Sequence, residues 1–115
     1  MTSVFKNVLS ANIGTSLTTV LTSNASATTT IIGMSLTNTT TEQVLATIVL
    51  TDPNGGGTGI PTTAYYIKNV AVPANQSLRV INGGEKLILG PSTVMQMQST
   101  VASSLDVVMS WVEIS

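Results

Sequence analysis

Side chains that gain or lose a proton near neutrality, or that hold a metal, carry most biological catalysis, and histidine commonly does both. This chain of 115 residues has no histidine and no cysteine. Its carboxylates are Glu42, Asp52, Glu85, Asp106 and Glu113. Hydrolysis of a glycoside would need two such acids facing each other across a cleft. All but Glu113 adjoin turns or strand ends, where acids are ordinarily solvated, and Glu113 stands near the last residue. Gly55–Gly57 with Thr58 and Gly59 has the glycine density of a phosphate-cradling loop. It lacks the Lys-Ser/Thr that follows such a loop and the strand and helix that flank it, so it reads as a loop at one end of the domain. Such a loop could still touch a partner. Asn24, Asn38 and Asn75 each open an Asn-x-Ser/Thr triplet and read as turn asparagines. The expectation is therefore a chain that is not an enzyme, with no cofactor, no metal and no small-molecule substrate.

The large aromatic side chains with polar atoms are Tyr65, Tyr66 and Trp111. Adjacent tyrosines on a strand face opposite ways, which predicts one in the core and one at a surface or interface. Trp111 stands beside Val107 and Met109 on one strand face, a position of core or subunit contact more often than of sugar stacking.

Composition narrows the partners. Hydrophobic residues make up 43% of the chain, whereas charged residues make up 8%, against about 25% in ordinary soluble domains. Threonine (19) and serine (13) fill the polar positions instead. The net charge is −1, with Lys6, Lys68, Arg79 and Lys86 scattered along the chain. A protein that neutralises phosphates needs its basic residues clustered, so no nucleic-acid partner is expected. From Asn7 to Thr41 there is no charge at all, yet Thr, Ser and Asn interrupt the apolar residues every few positions. No apolar run approaches the ~20 residues of a membrane span, and the first residues make a poor signal peptide. The chain reads as soluble, unprocessed and without a membrane partner. Surfaces so nearly neutral associate, which predicts that much of this one is covered by neighbouring subunits.

The elements that position these residues have a period of two. Ile32, Met34 and Leu36 alternate with Gly33, Ser35 and Thr37. From Val44 to Thr51 the chain is apolar on both sides, as a central strand would be. Val108, Val112 and Ile114 share one face of the last strand, and Val107, Met109, Trp111 and Glu113 share the other. Turn signals separate these runs at Asn24–Ser26, Asn38–Thr41, Asp52–Gly57, Pro73–Asn75, Asn82–Gly84 (a hairpin signal), Gly90–Ser92 and Ala102–Ser104. About eight short strands and no helical period predict an all-β fold, a single antiparallel β-sandwich or jelly-roll-like domain over residues 15–115. Residues 1–14 form an N-terminal arm or a first strand. Val4, Phe5, Val8, Leu9 and Ile13 follow no clean period there, and the segment is expected to lie across a neighbour and to order on assembly. Its deletion is then expected to leave the sandwich folded but abolish binding to the particle it would belong to.

The stretch TAYYIKNVAVPANQSLRVINGGEKLILGP (Thr63–Pro91), followed by MQMQSTVASSLDVVMSWVEIS (Met95–Ser115), resembles a pattern among small virion proteins of tailed bacteriophages, cyanophages in particular. A Tyr-rich strand, Val-Pro-Ala with a following Ser-Leu, and Gly-Gly-x-Lys-Leu-x-Leu before a turn proline carry the resemblance. It covers the C-terminal half clearly and the threonine-rich first half in style only. It implies a β-sandwich capsid decoration or cement protein on the capsid surface, bound to the major capsid protein. Tail, fibre or neck subunits are the structural alternative, and a carbohydrate-binding module using Trp111, Tyr65 and Tyr66 is a more distant one. No catalytic residue comes with the resemblance. Shell symmetry favours a homotrimer, then a dimer. The interface residues expected are Val4, Phe5, Val8, Leu9, Ile13, Tyr65, Tyr66 and Trp111.

Overall fold

Strands account for most of the chain in the computed structural model, which describes residues 2–55, 57–81 and 86–115. They are β1 (Ser3–Ile13), β2 (Thr18–Thr22), β3 (Thr28–Asn38), β4 (Val44–Asp52), β5 (Thr62–Val72), β6 (Ser77–Ile81), β7 (Leu87–Leu89), β8 (Val94–Ser99) and β9 (Leu105–Ile114). Valine, isoleucine and threonine dominate them, and their stiff χ1 suits the pleated surface. None of the described residues is helical.

Two antiparallel sheets pack face to face, as the alternation predicts. The first has the order β1-β9-β3-β6, with β7 also paired to β3; the second has the order β2-β8-β4-β5. The pairing is nested. β4 pairs β5 across the loop that joins them, β3 pairs β6 and β7 outside that, β2 pairs β8, and β1 pairs β9 outermost. Contacts of β3 with β9 and of β4 with β8 then close each sheet. This is one long hairpin rolled into a sandwich, the jelly-roll arrangement, with β6 and β7 together in the place of one strand.

The segment expected to be an arm or a first strand is β1, paired along its length with β9 of the same chain. It is an edge strand on the rim of the sandwich, so neither face is fully covered and its period is masked. Val8 packs on the core, and Ile13 enters it opposite Leu105 after a register shift at Ser10. Asn12 takes φ 61° in that shift, and its N–H donates to Asp106 Oδ1 at 3.1 Å. The hairpin expected at Asn82–Gly84 falls outside the described residues. On either side of it, β6 and β7 run the same way along β3, so they extend one edge and do not pair with each other.

The core lies between the sheets. Ile31, Met34, Leu36, Leu105, Val107 and Met109 face Val44, Ile48, Met95, Met97 and Val72. Each such side chain contributes about 1.5–3 kcal/mol by burial. Four of the five methionines fill this interior, where their flexible thioethers accommodate uneven spacing. β4 lies between β8 and β5, and its outward Thr47 and Val49 are buried as well, which accounts for its two apolar sides.

Polar anchors hold the corners. Asn38, fully buried, donates its amide to the carbonyls of Glu42 (2.7 Å) and Val72 (3.0 Å), while its Oδ1 accepts from the Thr40 N–H (2.9 Å). Ser23 Oγ donates to Gly90 O (2.6 Å) and accepts from the Thr93 N–H (2.7 Å), which ties the turn before β3 to the turn before β8. In the β4–β5 loop, Gly55 sits at φ 56° with the Ile60 carbonyl where a Cβ would project, so only glycine fits.

Candidate interaction surface

The register of the first sheet assigns a face to each side chain. Opposite residues of an antiparallel pair share a face. Val107, Met109, Trp111 and Glu113 of β9 point inward, so Asp106, Val108, Ser110, Val112 and Ile114 point outward. Their partners on β1 are Leu9 (with Val108), Asn7 (with Ser110), Phe5 (with Val112) and Ser3 (with Ile114). β3 and β7 complete one row: Phe5, Val112, Thr30 and Ile88 cross the sheet side by side. A second row runs Leu9, Val108, Ser35 and Arg79.

This outer face is apolar and unusually bare. Phe5 is 76% exposed, Leu9 71% and Ile88 67%, with Val108 and Ile114 also exposed. Among the described outward residues of the paired strands the charges are Arg79 and Asp106, both at one end. Between the two rows, Gly33 follows a bulge at Ile32 and carries no side chain into the space above it. Shallow depressions of about 340 and 430 Å³ flank Ile32 there. The backbone beneath is ladder-bonded on both sides at β9 and β3, so the face is rigid.

The expected interface residues divide. Phe5 and Leu9 meet on the outer face, beside Val108, Ile114 and Ile88, which the sequence did not single out. Val4 is exposed at the rim on the inward side, and Val8 is half-buried against the core. Ile13 and Trp111 belong to the chain's own core, where burial between the sheets takes nearly all of their apolar surface. Tyr65 lies outward on β5 at 58% exposure, with Lys68 Nζ 4.8 Å from its ring centre, while Tyr66 is half-buried against the core. Tyr65, Tyr66 and Trp111 thus share no surface on which a sugar could stack. The signal for the exposed apolar patch was present in β9, whose outward Val108, Val112 and Ile114 are apolar as well as its inward side chains.

Glu113, Asp52 and Asp106 bond to groups of the chain itself. Glu113 is inward-facing and nearly buried, and accepts from Trp111 Nε1 (3.2 Å), Asn24 Nδ2 (3.3 Å) and Lys6 Nζ (3.2 Å). The Trp111 indole N–H, then the Asn24 amide and the Lys6 ammonium, hold its carboxyl below the usual carboxylate range, against the opposing pull of burial. Asp52 Oδ1 accepts from the Asn54 N–H (2.8 Å) in the β4–β5 loop. Glu85 lies outside the described residues. Among the described residues no three Asp, Glu, His or Cys side chains group to hold a metal ion.

A small cleft of about 200 Å³ opens at the loop end, walled by Leu50, Ala64, Ile88 and Leu89 with Asp52 and Thr93 at its rim. Its walls are apolar and its polar groups already serve the loop and turn around it. Comparison of the chain with protein-family models, with curated proteins and with solved structures finds no match.

Proposed function

We propose that this chain is a structural protein of a tailed-phage virion, a decoration protein that binds the outside of the capsid shell and bridges capsomers. The exposed apolar side chains on the outer face of the first sheet, whose charges among the described residues are confined to one end, support this most. Paired strands hold Phe5, Leu9, Ile88 and Val108 in the open, where a partner could cover them. The resemblance of the C-terminal half to small virion proteins supplies the particle. The partners on this reading are the major capsid protein and further copies of the chain. Each copy needs no strong single contact, because several neighbours hold it at once.

Particles purified with and without the protein test the proposal. Density on the shell, and a copy number comparable to that of the major capsid protein, are the expected results. A copy number matching one ring of subunits would move the protein to the tail or neck. Ile88→Asp with Val108→Asp is expected to leave the sandwich folded and to weaken particle binding at least tenfold, since each side chain contributes about 1.5 kcal/mol or more when covered. Unchanged binding by this variant would overturn the proposed face.

A further inference from the structure

Four edges border the two sheets, one of them shared by β6 and β7, and three of the four are blunted against pairing with another chain. β2 has five residues and a register shift after Thr19. β5 shifts register twice against β4, with Asn69 at φ 53° in the shift between Ile67 and Val70. β6 and β7 are five and three residues long. Short strands and bulges are the usual devices that keep an edge from recruiting a partner. β1 has neither. From Ser3 to Ser10 its register with β9 is unbroken and it contains no proline; its one charge, Lys6, is neutralised by Glu113 at 3.2 Å, which weakens the protection a lysine gives an edge.

The free backbone groups of this edge can be identified. Thr2 and Ser115 exchange both N–H···O bonds at 2.9 Å, so even-numbered residues of β1 aim their N–H and C=O at β9. Ser3, Phe5, Asn7 and Leu9 aim theirs away from the sheet. We infer that β1 pairs antiparallel with β1 of a second copy across a two-fold axis through Asn7, which joins the two first sheets into one.

The residues fit that axis. Asn7 faces Asn7 of the partner subunit, and Phe5 faces Leu9 of the partner subunit, an aromatic–aliphatic cross-strand pair on the outer face. On the inner side Lys6 faces Val8 of the partner subunit, so no like charges oppose. An axis through Lys6 would set two ammonium groups against each other. An axis through Val8 would run Val4 into the irregular backbone at Asn12. Two-fold symmetry with the axis normal to the sheet keeps both outer faces on the same side, so the apolar rows become continuous across the pair. The inference stands whether or not the protein belongs to a particle, and it replaces the trimer expected from shell symmetry.

Cross-linking of the purified chain tests it, because the protein has no cysteine of its own. Paired residues of this kind lie about 5.5 Å apart at Cα, within disulfide reach. Asn7→Cys is expected to oxidise to a covalent dimer. Phe5→Cys alone and Leu9→Cys alone are expected to stay reduced, whereas a mixture of the two cross-links. The unmodified chain is expected to sediment at twice its 11.9 kDa. Asn7→Pro is expected to sediment as a folded monomer, since the N–H it removes faces the open edge and not β9. A monomeric or trimeric native chain overturns the inference. So does Phe5→Cys cross-linking as readily as Asn7→Cys, and this readout holds even if the proline variant fails to fold.

Discussion

Thr29 is fully buried opposite Glu113 on the inner face, and its hydroxyl finds no hydrogen-bond partner among the described residues. An unsatisfied buried hydroxyl costs about 1–3 kcal/mol, and valine has the same shape without it. Thr29→Val is therefore expected to leave the fold unchanged and raise stability by roughly 1 kcal/mol in denaturant titrations. A loss of stability would mean that the hydroxyl is bonded after all. Its neighbour Glu113 behaves in the opposite sense. Its folded carboxyl titrates below the ordinary glutamate range, so as pH falls the unfolded chain takes up the proton first. The stabilisation is present above about pH 4.3 and is lost as pH drops through that value toward the lowered folded one. Melting temperature plotted against pH is expected to fall more gently on the acid side for Glu113→Gln than for the native chain. Equal slopes would remove Glu113 from the acid response.

Among the elements, β5 owes one of its two irregularities, the one between Ile67 and Val70, to a single residue. Asn69 occupies the left-handed region, and its N–H donates to Thr47 Oγ1 at 3.1 Å. Asparagine tolerates that conformation and a β-branched residue does not. Asn69→Val is expected to destabilise by about 1–3 kcal/mol, whereas Asn69→Gly should be close to neutral; thermal melts separate them. The strands themselves were legible wherever one face is covered. β9 shows its two faces in plain alternation, and β4 shows its central place by being apolar on both. Legibility failed at the borders. β1 reads as an aperiodic arm because the rim of a sandwich imposes no pattern on it. Asn82–Gly84 reads as a hairpin because turn chemistry is local, while the shared pairing of β6 and β7 with β3 is not. The surface failed for a related reason. Trp111 and Ile13 have the residue types of an interface, and only the packing of two sheets shows that the core absorbs them, leaving Phe5, Leu9 and Ile88 outside.

At the scale of the molecule, nested pairing makes every layer depend on the one outside it. Removing residues 2–10 would strip the outward-lying ladder from β9 and take Val8 off the core. The truncated chain is expected to melt lower, by roughly 4–8 °C for each kcal/mol lost, and to aggregate through the bared β9 edge. This differs from the outcome expected of a detachable arm, which would leave the melting temperature unchanged. Thr2 and Ser115 form the last rung of the outermost pair. Tension applied at Thr2 and Ser115 would therefore load that rung first and part β1 from β9 bond by bond, like a zip fastener. Pulled this way the protein should yield at low force in an optical trap, whereas handles placed at Thr2 and Leu105, on opposite ends of the same ladder, would strain all its rungs together and meet far greater mechanical resistance.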